Sequence, residues 1–350
     1  MAPHPDMPEF ASIIINPSGQ QSHEPHPHGR QVASIAFGKS SLTPGLSPGA
    51  SLLNVQIADD QGVSNSVYLA QGIVQAVDAG ANIINISMGS YQYSPLVHSA
   101  VEYATQQGVV IFAPSGNDGD QALAYPAAYQ DVYAVGAIDA NGRHVAFSNY
   151  HPHLDVSAPG YQINTIGENG DYVISSGTSF SNITMAAGVA ILLSEDPNLT
   201  PHQATDILLN NLNDAGAPGH DPFYGTGHLD IGRALRSSTP NITDAAVTAH
   251  HLVANEEPNV SDQVVITVQN QGTKDLGATK IDIQVNQSPY GFTSQFLPEG
   301  ATQSFPIDID LNSITSSNPL EIHTVISSGQ EDIDHTNNEL KTRISLPQQP

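Results

Sequence analysis

The sequence contains no cysteine in its 350 residues. That excludes disulfides, thiolate metal sites and cysteine nucleophiles, and leaves the cellular compartment open. Basic residues are scarce as well: nine Lys plus Arg stand against 34 Asp plus Glu, a formal charge of −25. Such a surface repels phosphate, which disfavours nucleic acid and anionic membranes as partners and keeps the protein soluble. No run reaches the roughly 18 apolar residues of a membrane span, and the longest, within Ile183–Leu193, reads as a core helix. At the amino end, Met1-Ala-Pro-His-Pro-Asp6 shows no basic region ahead of an apolar stretch, the mark of a secretory signal. Between Asp6 and Asp59 there is no aspartate at all.

What is present alternates. Short β-branched runs at Ala11–Asn16, Ala50–Ile57, Ile83–Gly89 and Val109–Phe112 read as buried strands. Between them, Ser64–Ala79 and Pro95–Gln107 carry apolar residues at helical spacing. Further strands and turns are expected over Val132–Ile138 and Val145–Ala158, and helices over Pro201–Leu212 and Gly232–Leu235. Strand and helix alternating at this pace predict an α/β fold, a parallel sheet covered by helices on both faces. Ligands of such sheets gather at the carboxyl ends of the strands, so Asn16, Ser87 and Ala113 are expected along one edge.

Ser176-Gly-Thr-Ser179-Phe-Ser-Asn182 runs without a breaker into the small-residue apolar segment Ile183–Leu193. A hydroxyl at the mouth of a buried helix sits where unpaired N–H groups and the positive dipole end converge, which suits a serine nucleophile. His28-Gly29 stands at another helix start, after a His- and Pro-rich loop. There an imidazole can be held rigidly over the same crevice, whereas His23 and His26 read as solvated loop residues and not as metal ligands.

From about Ala245 the pattern changes to period two, with apolar sets at Val264/Ile266/Val268, Ile281/Ile283/Val285, Phe305/Ile307/Ile309 and Ile322/Thr324/Ile326. Turn signals such as Asn270-Gln-Gly272 separate them, as in a small all-β sandwich. The expected organisation is an α/β domain over 1–236, a polar linker over 237–244 and a β-sandwich over 245–347.

In order along the chain, His28-Gly-Arg-Gln-Val-Ala-Ser34, Ser87-Met-Gly89, Ala113-Pro-Ser-Gly-Asn117, Tyr125-Pro-Ala127, Ala158-Pro-Gly160 and Gly177-Thr-Ser179 resemble the motifs of the subtilisin-like serine peptidases. The resemblance implies a serine endopeptidase with Ser179 as nucleophile, His28 as base and Asn117 as oxyanion donor. It also implies that peptide substrate binds at Ser87, Met88 and Gly89, and beside Ala113, Pro114 and Ala124. No cofactor is implied for the chemistry. Asp59-Asp-Gln-Gly62 and Asn117-Asp-Gly-Asp120 leave room for a structural calcium without naming a full set of oxygen ligands, so no metal residue is assigned. The last third, with its ending Asp332-Ile-Asp-His-Thr-Asn-Asn-Glu339, resembles the immunoglobulin-like adhesion modules (CARDB type) appended to bacterial extracellular proteins. That implies binding of a surface or partner protein and an extracellular or periplasmic location, cytoplasmic being the alternative.

Of the chain's departures from the peptidase pattern, which include Arg30 and Gln31 in the histidine motif and Ala124, one matters more than the rest. Asn16 stands where the family's aspartate is expected, only 12 positions before His28, so a helix and strand are missing or shortened. Three readings stay open. Asp6, Glu9 or Glu24 folds back to supply the acid; Ser179, His28 and Asn16 work as a slow set; or the chain is a pseudopeptidase that binds extended peptide without cutting it.

Overall fold

The structure, a computed structural model, describes residues 3–15, 26–254 and 260–345. Asn16, His23 and Glu24, weighed above, lie outside the described residues, as do positions 346–347 of the expected sandwich. By compactness the chain divides into two units, Met1–Leu209 with Pro222–Gly225, and Asn210–Asp221 with Thr226–Pro350.

The first unit contains β1 (Ala11–Ile14), α1 (His28–Phe37), β2 (Leu53–Gln56), α2 (Ser66–Asp78), β3 (Ile83–Asn85), α3 (Pro95–Gln106) and β4 (Val110–Pro114). These are followed by β5 (Tyr133–Ile138), β6 (Val156–Pro159), β7 (Ile163–Ile166), β8 (Tyr172–Ser175), α4 (Thr178–Glu195) and α5 (Pro201–Leu209). Local chemistry fixes the helix starts. Asn65 caps α2 by accepting from the N–H groups of Val67 and Tyr68, and Ser94 caps α3 ahead of Pro95, whose missing N–H costs nothing at that position.

Strands β3–β4–β5–β6 form one parallel sheet in that order. Helices α2 and α3 pack on it through Ile73, Val77, Val101 and Ala104, over Ile111 and Ala134. Helix α4 is buried almost all round, as its small-residue sequence predicts. The expectation of one continuous sheet is corrected. Among the described residues β1 pairs in parallel with β2 alone, as a separate two-stranded piece, and β7–β8 is an antiparallel hairpin that the sequence reading did not separate. The end of β1 therefore does not share a sheet edge with Ser87 and Ala113.

In the second unit, β9 (Ala245–Val253), β10 (Asp262–Asn270) and β13 (Thr302–Ile309) form one antiparallel sheet, ordered β13–β10–β9. Strands β11 (Thr279–Val285), β12 (Ser288–Ser294), β14 (Leu320–Ser327) and β15 (Glu339–Ile344) form another, ordered β12–β11–β14–β15. The two sheets share one apolar core, with Val264 and Ile266 from the first and Ile281 and Ile322 from the second. By compactness, segments 210–221 and 226–236 group with these strands. The cause is a polar cluster: the Gln269 side chain accepts from the Asp214 N–H and donates to the Leu212 carbonyl, which also accepts from buried Arg233 of α6 (Ile231–Arg236).

Candidate active site

Ser179 is the second residue of α4 and is 7% exposed. First-turn N–H groups of a helix have no intrahelical acceptor, so the Ser179 N–H is a donor at the positive end of the helix. Its hydroxyl reaches the Ser87 carbonyl oxygen at 3.4 Å, and the Ser87 hydroxyl donates back to the Ser179 carbonyl at 3.2 Å. Asn85 holds the Ser87 hydroxyl in turn, donating from Nδ2 at 2.9 Å.

Asn117 sits in the loop after β4, exposed. Its Oδ1 accepts from both the backbone N–H and the hydroxyl of Thr178, each at 2.9 Å. With the carbonyl end bound to the residue before Ser179, the amide NH2 is left as the free donor end of the side chain. The loop depends on Gly116, whose φ of +123° belongs to glycine and where a Cβ would lie 2.2 Å from Asn149 Nδ2. Asn149 in turn accepts from the N–H groups of Asp118 and Asp120.

His28 opens α1, its ring edge-on to Phe180 at a centroid distance of 5.7 Å. Burial pushes its pKa below 6.5, and the like charge of His26 adds to that; the Ser87 carbonyl and the Gln31 side chain act the other way by favouring the protonated ring. Gln31 is a positioning residue to which the sequence reading gave no role; its amide nitrogen is tied to Ser175 Oγ at 3.3 Å. Its place one turn along α1 from His28 was the signal. Beside it, buried Arg30 ties α1 to the β7–β8 turn through the carbonyls of Gly167 and Glu168.

His28 and Ser179 thus converge on one carbonyl, that of Ser87, without a hydrogen bond to each other among the described residues. Among the described residues no carboxylate bears on His28 either. Asp6 accepts instead from the Tyr172 hydroxyl, and Glu9 is exposed.

The expected substrate residues divide. Gly89 lies against Ala124, where a Cβ added to the glycine would stand 2.9 Å from the Ala124 Cβ. The next residues, Ser90 and Tyr125, exchange backbone hydrogen bonds. Ser87, Met88 and Gly89 follow β3 at its carboxyl end, Met88 half-buried on the apolar core. Ala113 and Pro114 are both buried in β4, paired with Ala134 and Val135, ahead of the Asn117 loop. No group of three or more His, Asp or Glu residues placed to hold a metal occurs among the described residues.

Comparison with known proteins agrees with this layout. Residues 6–227 match the Subtilase family, peptidase S8. The chain is 34% identical over 238 residues to the thermostable alkaline protease of Halalkalibacterium halodurans, covering 67% of this chain and 65% of that protein. It is 31% identical over 237 residues to subtilisin BL of Lederbergia lenta, covering 67% of this chain and 86% of that one. It therefore spans a little under two thirds of the first relative's length. Among solved structures, the patellamide maturation protease PatA superposes with a TM-score of 0.59 at 32% identity, covering 67% of this chain and 91% of that chain. On this match, and on the ordered placement of His28, Asn117 and Ser179, the chain belongs to the subtilase family of subtilisin-like serine peptidases.

Proposed function

We propose that the α/β part of the chain is a serine endopeptidase acting on extended peptide. The observation that carries this reading is the lock of Asn117 Oδ1 onto Thr178, which aims the amide at the space before Ser179. Ser179 Oγ attacks the peptide carbonyl while His28 takes its proton, and the oxyanion forms against the Ser179 N–H and Asn117 Nδ2. Collapse expels the amine, which receives the proton from His28, and water then repeats the cycle on the acyl-enzyme. Every group needed for these steps is a side chain or backbone amide, so no cofactor enters. Substrate pairs as an added strand along Ser87–Gly89, with Ala124 narrowing the pocket before the scissile bond.

In this reading residues 1–236 form the peptidase domain, 237–244 the linker, and 245–347 an immunoglobulin-like sandwich that binds a surface or partner protein. Its relatives include a minor extracellular protease of Bacillus subtilis, which supports an extracellular site of action. Asn16, in place of the family's aspartate, is the remaining sequence candidate for orienting His28.

A pseudopeptidase that grips peptide without cutting it is favoured by a different observation, the absence of a carboxylate at His28 among the described residues. Labelling of the purified protein with a fluorophosphonate, beside Ser179→Ala, separates the two. Labelling of the wild type alone establishes an activated serine. No labelling of a folded sample, with peptide binding that survives Ser179→Ala, establishes the pseudopeptidase.

A further inference from the structure

Among the described residues four strands end the sheets of the second unit, β13 and β9 in one and β12 and β15 in the other. An edge strand offers unpaired N–H and C=O groups to any passing chain, and charge, proline or a cover on the edge usually prevents pairing. Three of these edges are guarded. β15 carries Glu339, Lys341 and Arg343 at alternate positions, and β13 has Pro306 within it. β9 is buried over Ala245–Val247, where the Val247 N–H is bonded to the Asn337 carbonyl. β12, Ser288-Pro-Tyr-Gly-Phe-Thr-Ser294, has no charged residue and is exposed at five of its seven positions.

The hairpin sets which backbone groups of β12 face outward. The Asn286 N–H, just past β11, is bonded to the Glu321 carbonyl of the segment entering β14, so even-numbered residues of β11 direct their backbone groups at β14 and odd-numbered ones at β12. Partners of the odd-numbered residues are Ser288, Tyr290, Phe292 and Ser294, which leaves Pro289, Gly291 and Thr293 facing out. Since proline has no N–H, the outward groups are the N–H and carbonyl of Gly291, the N–H and carbonyl of Thr293, and the carbonyl of Pro289. Side chains alternate too. Tyr290 and Phe292 stand on the core face, opposite Ile283 and Ile281; Phe292 packs on Phe305, and Tyr290 is exposed.

This pattern is its own complement about Gly291. Laid antiparallel on a second copy, Gly291 meets Gly291 of the second copy, and the two exchange N–H to carbonyl bonds. The Thr293 N–H reaches the Pro289 carbonyl of the second copy, and the reverse. The donor that proline lacks falls at the two ends of the pairing, where it leaves only the Thr293 carbonyls to water. In the same register Tyr290 stands opposite Phe292 of the second copy as a non-hydrogen-bonded pair, the kind whose side chains approach most closely. Beside Tyr290 the sandwich leaves a cavity of about 170 Å³ walled by Val285, Ile309, Ile314 and Leu320, a size that admits an aromatic ring.

Charge favours the same occupant. Lys280 and Asp282, the charged residues of the β11–β12 hairpin, are bonded to each other at 2.6 Å, so the hairpin is neutral on a chain of net charge −25. A charged partner finds nothing to hold there, whereas a second copy brings an equally neutral edge. We propose that β12 joins two copies of this chain, antiparallel about a twofold axis at Gly291, so that their four-stranded sheets run on as one. A single strand edge falls short of the roughly 1,200–2,000 Å² that stable interfaces bury, so the dimer is a reversible one. None of this rests on the peptidase reading.

Sedimentation equilibrium of the whole protein, over roughly a thousandfold range of concentration, is expected to show monomer passing to dimer. Added salt should favour the dimer by screening the −25 charge of each copy. In the dimer, hydrogen exchange at Gly291 and Thr293 should slow about tenfold or more, while Tyr290 and Phe292, already bonded to β11, change little. A side chain added at Gly291 meets no atom within 4 Å, so Gly291→Lys and Gly291→Glu keep the hairpin and set like charges opposite each other at the axis. Each variant alone is expected to weaken association about tenfold or more, and an equal mixture of the two to restore it. A wild type that stays monomeric throughout, or a dimer indifferent to Gly291→Lys, overturns the proposal. So does a monomeric wild type in which exchange at Gly291 slows only when an uncharged peptide of alternating Val and Thr is added, a result that gives the edge to a peptide.

Discussion

Asn117 Oδ1 accepts two hydrogen bonds from Thr178, from its backbone N–H and from its hydroxyl, each at 2.9 Å. The side chain of one residue thereby fixes the approach to the next, since Thr178 directly precedes Ser179 in α4. Removing one oxyanion donor costs on the order of 10²–10³ in rate. Asn117→Ala is expected to lower kcat by that factor with KM little changed, and Asn117→Asp to be as poor, since a carboxylate has no N–H to give. Thr178→Ala loses one of the two anchoring bonds and is expected to fall by less. Steady-state kinetics on a chromogenic peptide checks all three; an unchanged kcat in Asn117→Ala removes this residue from the oxyanion site.

The loop that carries Asn117 is held from behind. A methyl group at Gly116 meets Asn149 Nδ2 at 2.2 Å, and the residue's φ of +123° is strained for any side chain. Gly116→Ala is expected to cost about 1–3 kcal/mol in stability, because Asn149 must leave the N–H groups of Asp118 and Asp120. Activity should fall with it, as Asn117 shifts on the same loop. Denaturant titration and kinetics on one preparation test the link; lost stability with full activity breaks it.

Much of the α/β unit was legible because its signals are local. β-branched runs between turns marked β3, β4 and β5, the helical stretches Ser64–Ala79 and Pro95–Gln107 marked α2 and α3, and the Gly-Thr-Ser turn marked α4. What the sequence could not convey is which strand lies beside which. β1 reads like any buried parallel strand, and only the pairing in three dimensions puts it with β2 in a two-stranded piece apart from the sheet of β3 and β4. Gln31 escaped because a side chain that acts by hydrogen-bonding a neighbour on its own helix carries no motif of its own.

Gln31 favours the protonated form of His28, while burial of the ring acts more strongly the other way and keeps the pKa below 6.5. The reactive form of a general base is the neutral one, so labelling of Ser179 is expected to rise with pH through an inflection below 6.5 and then level off. In Gln31→Leu the inflection should move to lower pH. The rate should also drop on the order of tenfold, the worth of one hydrogen bond of about 1.5 kcal/mol to the charged imidazolium. The pH profile separates this from simple unfolding, which lowers the plateau without moving the inflection.

His250 in β9 offers a stability test within the second unit. Its ring nitrogens bond the hydroxyls of Thr342 and Thr324, each at 2.9 Å, and burial, with His323 nearby, lowers its pKa from 6.5 to about 4. Folding therefore disfavours the protonated ring. The stability this group contributes is complete above its unfolded pKa of 6.5 and is lost progressively as pH falls toward 4, on the order of 3 kcal/mol in all. Asp214 and Asp244 work in the opposite sense. Burial raises each to about 6, so their contribution is complete at low pH and is lost as pH rises through 6. Both carboxylates remain in a His250→Gln variant, which can still bond the two threonines but cannot take up a proton. The difference between wild type and variant thus isolates the imidazole. Between pH 6.5 and 4 the Tm of the wild type should fall by several degrees more than that of His250→Gln. Parallel curves would mean that His250 is protonated as readily in the folded protein as in the unfolded chain.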